Sequence, residues 1–106
     1  MKKEYDLAIS HFLHSITLMK KATGQQDYAL ARLNLGEVYG KTQRYNKAII
    51  ELNRAIKTDP SMFLAHYNLG TAYMLTQSYN KAELSFKACL KIKSNHEPTL
   101  YNLARV

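Results

Sequence analysis

The sequence predicts an all-α fold in which antiparallel helix pairs stack side by side into a solenoid. Three observations carry this expectation. Residues 29–62 laid on residues 63–96, an offset of 34, are identical at 13 of 34 positions. Within each unit, apolar residues recur at intervals of three and four along two separate segments, which is the period of one helix face. Short polar stretches without that stripe divide the segments, and a proline closes the first unit.

The elements follow in order from this repeat. Tyr5-Asp6-Leu7-Ala8 matches the second half of the unit, so residues 1–27 are expected to hold the second helix of a partial repeat and a longer loop. Ala8 to Ala48 spans 40 residues against 34 from Ala48 to Ala82, and the segment from Lys20 to Tyr28 should hold the extra six. Residues 28–62 form a complete repeat. Leu35, Val38 and Tyr39 mark its first helix, Thr42-Gln43-Arg44 a tight turn, and Tyr45, Ala48, Ile49, Leu52, Ala55 and Ile56 its second helix. Asp59-Pro60-Ser61 ends the unit, because Pro60 cannot continue the helix behind it but suits the first turn of the next. Residues 63–96 repeat the scheme with Leu69, Ala72 and Tyr73, then Thr76-Gln77-Ser78, then Tyr79, Ala82, Phe86, Cys89 and Leu90. Residues 97–106 begin another first helix, where Tyr101-Asn102-Leu103-Ala104 keeps the offset. The whole chain is one domain's worth of residues.

Gly36 and Gly70 fall inside helices, where each costs about 1 kcal/mol relative to alanine. A repeated cost implies a repeated reason, a close approach of the partner helix. Ala48, Ala55, Ala82 and Cys89 are the expected small residues opposite, with Tyr39 and Tyr73 filling the gaps.

Composition removes several function classes. Eleven Phe plus Tyr with abundant Leu, Ile and Ala are too many for a disordered chain. One cysteine makes neither an internal disulfide nor a Cys-rich zinc site. No run of apolar residues is long enough to span a membrane, and Glu4, Asp6, His11 and His14 interrupt any secretory signal. A cytoplasmic location is therefore the expectation. The formal charge of +7 favours acidic partners. Its carriers Lys47, Arg54, Lys57, Lys81, Lys87, Lys91 and Lys93 fall on second-type helices or their ends and read as a solvated exterior, so nucleic acid is not the expected partner. His11 and His14 can share a helix face but lack a third metal ligand. Cys89 stands at a small packing position and reads as a buried thiol. His66 and His96 have no nucleophile at triad spacing, and no glycine loop cradles phosphate. Neither catalysis nor a cofactor is expected.

The series Leu35, Gly36, Tyr39, Ala48, Leu52, Ala55, Pro60 recurs as Leu69, Gly70, Tyr73, Ala82, Phe86, Cys89, with Ser94 at the proline's place. This pattern resembles the tetratricopeptide repeat. The family's tryptophan is replaced by Arg32, His66 and Leu100. The extra residues before Tyr28 are similar to the long repeat variant of kinesin light chains and some polarity adaptors, or are a local insertion.

The resemblance implies a right-handed superhelix whose first-type helices line a concave face and whose second-type helices form the convex face. The concave positions would be Leu30, Leu33, Asn34, Glu37 and Lys41, then Leu64, Tyr67, Asn68, Thr71, Met74 and Leu75, then Tyr101, Asn102 and Arg105. Such an apolar surface with a few polar groups suits an extended or helical peptide of a protein partner. Asn34, Asn68 and Asn102 stand one repeat apart, and an amide can serve both the N–H and the C=O of a peptide backbone. Similar asparagines form a ladder in the groove of the O-GlcNAc transferase. The alternative is that they tie neighbouring helices together or are solvated. Some members clamp chaperone tails with lysines, an arginine and asparagines. Only Asn34 matches that clamp, since Pro98 and Asn102 stand at the third-repeat cation positions, so chaperone tails are not the expected ligand.

The two ends suggest homo-oligomerisation as a second function. The first helix has an apolar side of Leu7, Ile9, Phe12, Ile16 and Leu18 with no first-type helix ahead of it. Leu100 and Leu103 have no second-type helix behind them. These ends are expected to stack between chains, or the chain is a piece of a longer array.

Overall fold

The computed structural model describes the backbone at residues 2–22 and 25–106, and side chains at 4–17 and 28–106. Among the described residues there are six helices and no strand: α1 Lys2–Ala22, α2 Gln25–Lys41, α3 Tyr45–Thr58, α4 Phe63–Leu75, α5 Tyr79–Ile92 and α6 Glu97–Arg105. Helix α2 packs on α3 and α4 on α5, giving two antiparallel pairs, while α1 leans on α2, α3 on α4 and α5 on α6. The result is an all-α solenoid measuring 39 × 30 × 19 Å.

Each inner helix touches neighbours on two sides, and this explains its composition. Ala65, Leu69 and Ala72 of α4 are buried, as are Ala31, Leu33, Leu35 and Tyr39 of α2. Second-type helices are amphipathic instead. Ala48, Leu52 and Ala55 of α3, and Ala82, Phe86 and Cys89 of α5, form one buried stripe at helical spacing.

The two intra-repeat turns are the same structure made twice. Gln43 and Gln77 adopt left-handed conformations, with φ of 62° and 64°. The Arg44 N–H donates to the Tyr39 carbonyl at 2.8 Å and the Gln43 N–H to that of Gly40 at 3.1 Å. One repeat on, Ser78 donates to Tyr73 at 2.8 Å and Gln77 to Met74 at 3.1 Å. This is the Schellman pattern, which satisfies carbonyls left free at a helix end. The Thr42 hydroxyl shares its proton between the Val38 and Tyr39 carbonyls, and the Thr76 hydroxyl between those of Ala72 and Tyr73, at 3.0–3.1 Å.

Four expectations need correction. The expected loop from Lys20 to Tyr28 is mostly helix, because α1 continues to Ala22 and α2 begins at Gln25. The extra residues lengthen the two helices to 21 and 17 residues, and residues 23–24 lie outside the described chain. Pro60 does not enter the next helix, whose N-cap is Met62. It sits in a turn fixed by Asp59, whose Oδ1 accepts from the Ser61 hydroxyl at 2.6 Å and its backbone N–H at 3.1 Å. These two bonds hold the Asp59 carboxyl below its ordinary pKa.

The space left by the helical glycines is filled by large residues, not small ones. A Cβ at Gly36 would lie 2.7 Å from Cγ of Leu52, and one at Gly70 would lie 2.5 Å from Cε1 of Phe86. Each glycine receives the bulky knob of the partner helix. Finally, the apolar side of α1 is not wholly unpartnered, since Ile9 and Ile16 are buried in the core and Phe12 packs against it. Leu7 remains 69% exposed, and the Leu18 side chain lies outside the described residues.

Candidate peptide-binding groove

Helices α2 and α4 contact each other directly, so the faces they share form a continuous wall between the two repeats. In that wall lies a cavity of about 390 Å³. Helix α2 contributes Gly36, Glu37, Gly40 and Lys41, and α3 contributes Tyr45, Ala48 and Leu52. Helix α4 closes it with Tyr67, Asn68, Thr71, Ala72 and Leu75. The spacing of three and four places Gly36, Gly40 and Tyr67, Thr71 on facing helix stripes.

The floor is apolar and the rim polar. Glu37 and Lys41, one helical turn apart, pair with each other at 3.3 Å. The Thr71 hydroxyl donates to the Tyr67 carbonyl at 3.1 Å and keeps its oxygen free to accept. The Tyr67 ring is held from behind by Phe86, with centroids 6.3 Å apart, and by the edge of His96 at 5.1 Å. His96 is fixed in turn against Phe63 at 5.3 Å and shares a 2.6 Å hydrogen bond with the buried Thr99 hydroxyl. One wall of the cavity is thereby anchored to the α5–α6 junction. Cys89 is fully buried there, 3.2 Å from Thr99.

The structure brings together Glu37, Lys41, Tyr67, Asn68, Thr71 and Leu75 of the expected concave positions. Asn34 is half-buried on the same helix, and neither its amide nor that of Asn68 hydrogen-bonds to another described residue. Leu30, Leu64 and Tyr101 are exposed, Met74 is half-buried and Arg105 is exposed beside Tyr101, its guanidinium carbon 5.5 Å from the ring centroid.

Two positions are corrected. Leu33 is only 4% exposed and belongs to the hydrophobic core. Asn102 is 8% exposed and does not share the accessibility of the other asparagines. Gly40, Tyr45 and the floor residues Ala48 and Leu52 were not on the expected face. Gly40 had a signal in the sequence, a helical glycine that the next repeat replaces with Met74.

Helices α3 and α5 carry many of the basic residues, Lys47, Arg54, Lys57, Lys81, Lys87 and Lys91. Lys47 and Lys81 lie over the rings of Tyr39 and Tyr73 at 5.8 and 5.7 Å, a contact repeated with the period of the sequence. Lys87 pairs with Glu83 at 2.9 Å and Arg54 with Glu51 at 3.3 Å. No helix among the described residues is long and apolar enough to cross a membrane.

Comparison with known proteins agrees with this architecture. Two sequence profiles of the tetratricopeptide repeat match, one over residues 1–61 and the other over residues 33–97. No curated protein sequence matches the chain. Among solved structures, the first TPR of Spaghetti (RPAP3) bound to the HSP90 peptide SRMEEVD superposes with a TM-score of 0.88 at 17% identity, covering 98% of this chain and 78% of that one. The second TPR domain of human RPAP3, in complex with the HSP70 peptide SGPTIEEVD, gives 0.85 at 24% identity over 98% and 82% of the two chains. The APC/C hetero-tetramer Cut9–Hcn1 gives 0.92 at 26% identity, with 98% of this chain covering 20% of that chain. With both profiles and the helix pairing in agreement, the chain belongs to the tetratricopeptide repeat family.

Proposed function

We propose that this chain is a non-enzymatic protein-interaction module that holds a peptide or helix of a partner along the α2–α4 face. The observation that carries the reading is the apolar cavity bordered by the Asn68 amide, with the Asn34 amide on the same helix as its Glu37 and Lys41 rim. Two amides without partners on other described residues are suited to a polypeptide backbone, and an apolar floor is suited to its side chains. Two structures of similar fold are complexes with chaperone peptides, which supports a polypeptide as the class of ligand. The acidic chaperone tail itself is not our proposal, because only Asn34 matches the clamp that binds it.

Exchanging Asn34 and Asn68 together for alanine removes two backbone contacts, each worth about 0.5–1.5 kcal/mol. We expect roughly tenfold weaker retention of the partner in a pull-down from native extract, at unchanged helicity by circular dichroism. Equal retention by the double variant would move the interaction to the convex face or the ends.

A second reading, self-association, draws on the exposed apolar ends. Leu7 and Leu13 on α1 are 69% and 43% exposed, and Leu100 and Tyr101 on α6 are 46% and 65% exposed. A strict monomer in sedimentation at high micromolar concentration removes this reading.

A further inference from the structure

Two features make a glycine necessary within a helix: a neighbour that approaches too closely for a side chain, or a left-handed backbone. Gly36 and Gly70 have the first, in Leu52 and Phe86. Gly40 has neither. A Cβ built on it meets no atom within 4 Å, and no glycine among the described residues has positive φ. Its helix would be more stable with almost any other residue there. What Gly40 does border is the cavity, and one repeat on the same position holds Met74.

We propose that Gly40 keeps open a socket for one large, uncharged, apolar side chain of the bound partner, of the size of leucine or phenylalanine. This inference rests on the groove reading above and specifies which peptides it selects. The socket is walled by Leu52, Ala72, Leu75 and the rings of Tyr45 and Tyr67. Its charged lining residues, Glu37 and Lys41, are paired with each other at 3.3 Å. Those two side chains stay half in solvent at the cavity's mouth, while the deeper lining, with Ala48, Leu52 and Ala72, is apolar, so a charged guest seated there loses water without gaining a counter-charge and an apolar guest does not. Asn68 and Thr71 on the opposite rim are placed to take the backbone on either side of the guest. The volume of about 390 Å³ accommodates a large side chain with part of its adjoining main chain.

The test uses a capped host peptide, Gly-Ser-Gly-X-Gly-Ser-Gly, with X as Ala, Leu, Phe, Glu or Lys. Each is titrated into the isotopically labelled chain while amide resonances of Gly36, Thr71 and Leu75 are followed. Leu and Phe guests are expected to bind at least tenfold more tightly than Ala, Glu and Lys. Gly40→Leu should abolish that preference and Gly40→Ala reduce it, with the melting temperature of both at or above that of the unaltered chain. Binding that ignores the guest, or a preference that survives Gly40→Leu, overturns the socket while leaving the groove reading in place. No shift of these amides with any guest at millimolar peptide also overturns the socket, and the Asn34 and Asn68 pull-down then judges the groove by itself.

Discussion

At Gly70 an added methyl group would lie 2.5 Å from a ring carbon of Phe86, a ring that is fully buried and also meets Tyr67 of the same helix as Gly70. A rigid, fully buried ring has little room to retreat. Overpacking of this kind costs about 1–3 kcal/mol, more than the roughly 1 kcal/mol that alanine adds to helix propensity. Gly70→Ala should therefore be destabilising. Gly40→Ala has the opposite sign, because its Cβ meets nothing, and should gain about 1 kcal/mol. Urea denaturation of the two variants checks both, and equal shifts would contradict the contacts described here. The sequence marks Gly36 and Gly70 as helical glycines with one shared reason and is silent on Gly40. The distinction depends on what stands opposite, and that is a matter of distance across helices.

At the scale of the helix pair, the two repeats solve one packing problem with different chemistry. Arg32, at the position of the family's tryptophan, donates to Glu51 of α3 and, at 2.6 Å, to the Tyr28 hydroxyl. Both members of the pair are largely buried, their side chains 12% and 9% exposed. Burial works to lower the Arg32 pKa, but the hydrogen bonds to Tyr28 and Glu51 and the charge of Glu51 outweigh it and hold the value above the ordinary one. One repeat on, the corresponding positions hold Met62, His66 and Ser85, with no charged pair, and the His66 Nε2 meets the Pro60 carbonyl at 3.0 Å. Removing one partner of a buried pair leaves the other uncompensated and costs about 3 kcal/mol or more. Glu51→Ala should lose that amount. Arg32→His with Glu51→Ser installs the second repeat's neutral solution and should lose less than Glu51→Ser alone. A denaturation cycle over the single and double variants measures the difference. Sequence comparison shows that the residues differ between repeats, but the ion pair itself becomes visible only when α2 and α3 are brought side by side.

For the molecule as a whole, stability comes from neighbouring helices stacked in one dimension, so an element contacted from two sides is held more firmly than one contacted from one. Helices α2 to α5 each lie between two others, whereas α6 packs mainly on α5 and α1 mainly on α2. Native-state hydrogen exchange should be slowest at the buried Leu52, Ala55, Leu69 and Phe86 and fastest in α6. Uniform protection across all six helices would mean that the stack opens as a single unit.

The sequence by itself determined the repeat length, the pairing of helices and the two polar turns, since periodic apolar side chains and helix-ending residues act over a few neighbours along the chain. Of the inner-face positions that it marked, Glu37, Lys41, Tyr67, Asn68, Thr71 and Leu75 line one cavity. Only the tertiary structure decided that Leu33 and Asn102 turn inward, that the residues before Tyr28 lengthen helices, and that Gly40 opens onto a cavity. Those outcomes depend on which helices come to lie against each face, α1 and α4 as well as α3 against α2 and α5 against α6, and such contacts join residues far apart in sequence and follow from no spacing along the chain.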